Sequence, residues 1–314
     1  MNRHILLFFA VLSCAAELPA AQRTFVSAEV GSDTNPCTRA LPCRSFAAAL
    51  FFTDANGEVI AVDSGGYGPV TITQSASLIS PAGVYAAITA TSGNGVTVNA
   101  GDTSHVTLRN VSLNGSGGGG WGVDVPSAAA VHVEGCVIKG FFLGGIHFLP
   151  ATSTSRIYVS DTIVRQIASE AIFISAGTGV IDSTLVQETS AGIDVRQGAQ
   201  VTVRNSEVAN ALDGFIVSFG GKMMIEKSAV SNSTHGFNAE DGLITLSRCI
   251  ARSNVHGLTA TSGASAIFVS DSTITMNQTG VDPTGGTAVI ASRGNNRLLG
   301  NTNNGAFTTT YSSR

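Results

Sequence analysis

Between residues 131 and 293 a short pattern of apolar and polar positions recurs seven times: VEGCVI, VSDTIV, IDSTLV, VRNSEV, IEKSAV, LSRCIA and VSDSTI. The copies begin at Val133, Val159, Ile181, Val203, Ile225, Leu246 and Val269, a spacing of 21 to 26 residues that is most often 22. Apolar or small residues fall at offsets 0, 3 and 5, as in Val203, Ser206 and Val208, with polar Arg204 and Asn205 between. A helix would show the i, i+3, i+4, i+7 stripe; this pattern instead fits two short alternating strands joined by a one-residue corner. A second phrase follows at a nearly fixed offset, an apolar residue usually preceded by Gly: Gly145-Ile146, Ala171-Ile172, Gly192-Ile193, Gly214-Phe215, Gly236-Phe237, Gly257-Leu258 and Gly280-Val281. It predicts a third strand entered through a turn, with glycine supplying a positive φ.

Three short strands and three corners in about 22 residues make one coil of a parallel β-helix, and coils stack at about 4.8 Å. Like residues then lie above like. The offset 0 column is all Val, Ile or Leu and predicts a continuous dry core. The offset 3 column, Cys136, Thr162, Thr184, Ser206, Ser228, Cys249 and Ser272, predicts a ladder of small residues bonding one another or the corner backbone. Within it Cys136 and Cys249 are expected as buried free thiols, too far apart to bridge.

Composition agrees with a single large repeat domain. In 314 residues there are 36 Gly, 43% apolar residues and only 12% charged ones. Lysine is confined to Lys139, Lys222 and Lys227, and the formal net charge is −4. No basic stripe is present to release counterions from a nucleic acid, so that partner is not expected.

Residues 1–21 have the form of a secretory signal: Arg3 and His4, the apolar ILLFFAVLS, then small residues to Ala20 and Ala21. The apolar run is too short to span a bilayer, and Leu12 and Ser13 ahead of Cys14 match a lipoprotein cleavage site poorly. No later segment looks transmembrane, so the expected location is the periplasm or the cell exterior.

From Thr24 the text TFVSAEVGSDTNPCTRALPCRSFAAALFFTDANGEVIAVDSGGYGPVTI resembles the opening of secreted bacterial right-handed parallel β-helix proteins of the pectin-lyase-like superfamily. The extended FVS, the GSD turn, the PCRSFAAAL helix and GEVIAVDSGGYGPVTI carry the likeness, and the closing SRGNNRLLGNTNNGAF continues it. The resemblance implies an all-β right-handed parallel β-helix with a short N-terminal capping helix, and export, but no reaction. On this basis residues 22–56 form the cap, 57–293 the coils and 294–314 a last coil and C-terminal cover. An open helix end exposes core and strand edges, and Phe46, Ala47, Ala49, Leu50 and Phe51 on the capping helix are expected to plug it. Cys37 and Cys43, both exported, are expected to form a disulfide that pins the loop ahead of the cap.

The insertion NGSGGGGWGVDV departs from the coil template and predicts a flexible corner carrying Trp121, the only tryptophan. An exposed indole there would stack on a sugar face.

Stacking turns sequence columns into spatial neighbours, so a site can be sought without a motif. The residue before the recurrent glycine is Gly144, Glu170, Ala191, Asp213, His235, His256 and Thr279, which places Asp213, His235 and His256 on consecutive coils about 5 Å apart. An Asp beside a His orients the imidazole and raises its basicity, as a general base or metal ligand requires. A second column, at offset 1, sets Asp182, Arg204 and Glu226 on adjacent coils. It suits either a surface ion ladder or a pectate-lyase-like arrangement of calcium-binding carboxylates and an Arg base. Polygalacturonase-type hydrolases on this fold combine clustered Asp residues, Gly-His-Gly and Arg-Ile-Lys. Here THGF and VHGL lack the first glycine and SRIY around Arg156 replaces the last motif, so that route is not expected. The offset 4 column, Val137, Ile163, Leu185, Glu207, Ala229, Ile250 and Thr273, forms an apolar outward strip that awaits a partner or the chain's own tail.

These readings converge on an exported scaffold that presents a long surface to a glycan or cell-envelope partner, with no cofactor and no metal. The alternative is a lyase or glycoside hydrolase acting on an acidic polysaccharide at Asp213, His235 and His256 or at Asp182, Arg204 and Glu226.

Overall fold

The structure, a computed structural model, describes residues 21–312. The leader expected over residues 1–21 therefore lies, Ala21 apart, outside the described residues. The chain winds into about 11 coils of about 23 residues, a mean slightly above the commonest spacing because some coils, such as that from Leu78 to Leu108, are longer. One coil shows the principle. Strand Gln200–Arg204 pairs in parallel with Thr178–Asp182 behind it and Gly221–Glu226 ahead. The next strand, Glu207–Val217, bends within itself, so that Glu207–Ala209 pairs with Ala229–Ser231 and Asp213–Val217 with His235–Ala239. Stacked coils thus build three faces, called here the first, second and third sheets in chain order.

The core column is as the pattern predicts: Val133, Val159, Ile181, Val203, Ile225, Leu246 and Val269 are at most 1% exposed. Each such side chain withdrawn from water contributes about 1.5–3 kcal/mol. The offset 3 ladder also forms, and its hydroxyls bond the corner backbone. The Thr184 amide donates to Ser206 Oγ (3.2 Å) and the Ser206 amide to Ser228 Oγ (3.2 Å), while the Ser206 hydroxyl donates to the Arg204 carbonyl (2.7 Å). Cys136 and Cys249 are buried free thiols in this column, their ionisation pushed up to about 12 and about 11 by burial.

The glycines work differently from the sequence expectation. The left-handed corners fall on other residues, at φ 49° for Asn205 and φ 56° for Asn210, and on their equivalents Ser183 and Glu188 one coil back. Gly192, Gly214, Gly236 and Gly257 are required for close approach instead. A Cβ on Gly192 would stand 2.4 Å from the Gly214 carbonyl oxygen, and one on Gly214 2.6 Å from that of Gly236. A second polar ladder closes the corner beside them, where amides of Ser233, Asn254 and Asn277 each donate at 3.0 Å to the side-chain oxygen of Asn254, Asn277 and Asn301 on the following coil. Such columns supply partners that bent backbone would otherwise lack.

At the N-terminal end β1 (Ala21–Val26) pairs with β2 (Thr53–Ala61), and the helix α1 (Phe46–Phe51) lies between them in sequence. Ser45 caps α1 and is itself held by Asp33, which accepts from the Ser45 amide and hydroxyl. Only part of the expected plug is inserted: Phe46 and Ala49 are buried and Leu50 is half-buried, while Ala47 and Phe51 face solvent, because a helix this short turns one stripe toward the core. Cys37 and Cys43 are joined by a disulfide, and their segment adds to the free edge of β1 through hydrogen bonds of Phe25 and Ser27 to the Cys37 and Cys43 carbonyls. At the other end Arg297–Leu299, Asn303–Gly305 and Thr309–Thr310 extend the three sheets in register. The tail satisfies its backbone by lengthening the stack, so it does not fold over the offset 4 strip, where Ile163 and Ile250 remain 36% and 42% exposed.

Candidate functional site

The outer face of the third sheet gathers most of the side chains capable of chemistry. Its entry column runs Trp121, Gly144, Glu170, Ala191, Asp213, His235, His256 and Thr279 on successive coils. A parallel column three residues on runs Asp124, His147, Phe173, Asp194, Ile216, Asn238, Thr259 and Asp282. Alternation points this second column outward between the core residues that flank it, such as Ile193 and Val195 on either side of Asp194.

The sequence pattern puts Asp213, His235 and His256 together, and they are together. His235 Nδ1 lies 2.9 Å from Asp213 Oδ1, which also accepts from Asn238 Nδ2 at 2.9 Å. The bond to Asp213 raises the His235 pKa above its usual value against the opposing effect of burial. The His256 ring stacks on His235 with centroids 5.3 Å apart, and its Nδ1 lies 2.8 Å from Asp282 Oδ2, off the line that a hydrogen bond needs. Asp282 belongs to the column that sequence reasoning missed.

Trp121 does not ride on a mobile corner. It opens the strand Trp121–Glu134, its amide donates to Asn94 Oδ1 at 3.0 Å, and its indole stacks on the His147 imidazole at 4.4 Å and 16°. Gly144 makes room for it: a Cβ there would meet the indole at 1.9 Å. His147 is held by Asp124 (Nδ1 to Oδ1, 2.7 Å) and leans toward Phe173, 5.3 Å away. The Arg196 guanidinium covers the Phe173 ring at 5.1 Å and forks onto Asp194, with Nη2 to Oδ2 at 2.6 Å. Asp194 is fully buried, and burial lifts its carboxyl above the usual range against the pull of Arg196; Arg196 in turn is raised by that hydrogen bond. An indole, an imidazole, a phenyl ring and a guanidinium thus share one face with the Asp213 and His235 pair, a few coils away.

Asp182, Arg204 and Glu226 stand in register on the first sheet, on a different face. Arg204 Nε lies 3.8 Å from Asp182, and Glu226 is engaged by Arg248 on the following coil. Nearly half of the Arg204 side chain is open to water, where such pairs are worth about 0–1 kcal/mol. Among the described residues no three His, Cys, Asp or Glu side chains converge to hold a metal ion, and no helix is long and apolar enough to cross a membrane.

The coupling of His235 to Asp213 has a titration signature. In Asp213→Asn the His235 pKa should fall, because the bond that raises it weakens while burial remains. For a raised histidine the stabilising effect is complete below the unfolded pKa and disappears as pH rises through the folded one, so the variant should lose most stability at acidic pH. Imidazole proton shifts followed by NMR across pH check the first point and denaturation midpoints the second; an unmoved His235 titration would contradict the assignment.

Comparison with known proteins agrees with this architecture. Pectate lyase Pel9A superposes with a TM-score of 0.54 at 11% identity, over 93% of this chain and 78% of that one. The mannuronan C-5 epimerase AlgE6 A-module of Azotobacter vinelandii does so at 0.51 and 13%, over 81% and 89%. At these identities the likeness is one of fold. No curated protein matches the sequence. The family described as right handed beta helix region matches residues 145–303. That stretch, just over half of the chain, holds the most regular coils, and the chain belongs to the right handed beta helix family.

Proposed function

We propose that this protein is an exported glycan-binding β-helix that seats a linear saccharide along the outer face of its third sheet. The observation that carries the reading is the Trp121, His147 and Phe173 cluster, continued by Arg196, on the same face as Asp213 and His235. Aromatic faces bind the apolar faces of sugar rings, while fixed carboxylates and imidazoles orient hydroxyl groups. From Trp121 to His256 the column climbs six coil steps of about 4.8 Å, the reach of a hexasaccharide. The Cys37–Cys43 disulfide supports a place in an oxidising compartment, outside the cytosol. Such a location suits a cell-envelope or extracellular glycan.

The test is a panel of defined oligosaccharides titrated against the purified protein and Trp121→Ala. Affinity should rise with chain length to about six residues, following the about 4.8 Å coil step. It should fall at least tenfold in the variant, the loss of a contact worth about 1.4 kcal/mol. Absence of saturable binding throughout the panel would overturn the reading.

A second reading has one specific observation in its favour, the Asp-held His235 with its raised pKa. Such a pair is suited to general acid–base work in a polysaccharide lyase or glycoside hydrolase. New reducing ends or unsaturated products, abolished in Asp213→Ala, would establish turnover.

A further inference from the structure

The charge on the third-sheet face bears on the kind of sugar it receives, an inference that rests on the glycan-binding reading. At its aromatic end Asp124 faces His147, and Glu170 and Asp194 share Arg196, whose Nη2 is 3.8 Å from Glu170 and 2.6 Å from Asp194. Farther along, Asp213 and Asp282 stand against His235 and His256, and Glu240 adds a solvent-exposed carboxylate whose field reaches both Asp194 and His235. Carboxylates therefore outnumber the single guanidinium and the three imidazoles even with every imidazole protonated. The face is therefore negative whatever the charge of its imidazoles. An acidic sugar laid along it would bring like charge against partly buried carboxylates, where repulsion is less screened than in open water.

A second observation points the same way. Asn238 Oδ1, on a residue 2% exposed whose Nδ2 is already donated to Asp213, has no hydrogen-bond partner among the described residues, and it lies on this face. Buried polar atoms are ordinarily paired. A carbonyl oxygen can only accept, so it adds to the acceptors that a ligand can reach here, the carboxylates of Asp213, Glu240 and Asp282. A surplus of acceptors selects a group that only donates. Among sugar substituents that group is a protonated amine, with three donors and no acceptor.

We propose that the segment of the face formed by Asp213, His235, Glu240, His256 and Asp282 binds an amine-bearing sugar, and that the glycan of this protein is an amino-sugar polymer rather than a polyuronate. Trp121 and its neighbours then grip the ring faces at one end while the carboxylates read the ammonium at the other. Arg196 is not free to recruit a uronate, because Asp194 and Glu170 already hold it.

Calorimetric titration at pH 6 with hexamers of glucosamine, N-acetylglucosamine and galacturonate tests this directly. The glucosamine hexamer should bind at least tenfold more tightly than the galacturonate hexamer, with an advantage that shrinks as salt is added. Glu240→Lys, at an exposed position, should lower glucosamine affinity at least threefold and raise that of galacturonate. Its thermal midpoint, measured alongside, reports whether the fold is kept. Asp282→Asn supplies the milder change and should lower glucosamine affinity alone. Tighter binding of galacturonate, lost in Trp121→Ala, would overturn the amine assignment and leave the glycan reading standing. Equal binding of the three hexamers, or glucosamine binding indifferent to both charge variants, would overturn it in the same way. No binding by any hexamer would remove both.

Discussion

Gly214→Val should lower the stability of the folded chain by about 3 kcal/mol, near the upper end of what overpacking costs. A Cβ at this position would stand 2.4 Å from Val230 Cγ2 and 2.6 Å from the Gly236 carbonyl oxygen, the first a core side chain and the second backbone of the next coil. Neither can withdraw alone, since Gly236 is in turn pressed against Gly257. Alanine is a weaker test than valine. Ala171 already occupies the equivalent place two coils earlier, on a strand where the register shifts between Ile167 and Glu170. Gly66→Ala is the control: nothing lies within 4 Å of its Cβ, and its stability should be unchanged. Denaturant midpoints of the wild type and the two variants check the prediction. A Gly214→Val midpoint equal to that of Gly66→Ala would show that the stacked glycines are not needed for close approach.

Asp63→Asn should be the second large effect, and one that depends on pH. The Asp63 carboxylate accepts from the Ser27 hydroxyl, from the Ala28 and Glu29 amides at 2.7 and 3.3 Å, and from the Tyr67 hydroxyl at 2.6 Å. It ties the turn after β1 to the start of the next coil. Tyr67 is almost fully buried and its ring lies 5.0 Å from Phe46 of the capping helix, so the network also anchors the cap. Burial works against the charge, but the hydrogen bonds, that of Ser27 foremost, prevail and hold Asp63 at about 2. Burial and the same carboxylate together push the Tyr67 phenol well above its usual range. A depressed carboxylate contributes its full stabilisation above the unfolded value of 3.8, and that contribution is lost as pH falls through about 2. Removing hydrogen bonds to a charged group costs about 1.5–3 kcal/mol for each one lost. The stability gap between the wild type and Asp63→Asn should therefore be several kcal/mol near neutral pH and should narrow on acidification below about 4. A gap that does not vary with pH would mean that the carboxylate's charge plays no part in anchoring the cap.

The candidate face illustrates what repeats do and do not disclose. Asp213, His235 and His256 were legible because they precede a recurrent glycine, so a fixed offset counts from one coil to the next. Asp194, Asn238, Thr259 and Asp282 follow the recurrent apolar residue directly, in a column that mixes acidic, aromatic, apolar and neutral side chains and so shows no pattern from one coil to the next. The available signal was a polar side chain between two core positions of one strand, as in Asp194 between Ile193 and Val195. Trp121 belonged to the glycine-preceding column all along, but the glycine-rich insertion ahead of it broke the count. The ladder of Asp182, Arg204 and Glu226 was equally legible, yet it lies on another face from the aromatic cluster, and offset alone does not rank one face above another.

The coil, its inward column, its corner ladder and the vertical neighbours of every residue in register all follow from the order of amino acids, because a strand's alternation and a constant period leave one way to stack. How neighbouring columns meet does not follow from it. The His147 ring under Trp121, the Arg196 guanidinium over Phe173 and the Asn238 amide on Asp213 join residues from different columns and coils. Period sets position along the stack; side-chain direction and the reach of a guanidinium or an imidazole across it are settled by packing in three dimensions, and that is where the candidate chemistry of this protein resides.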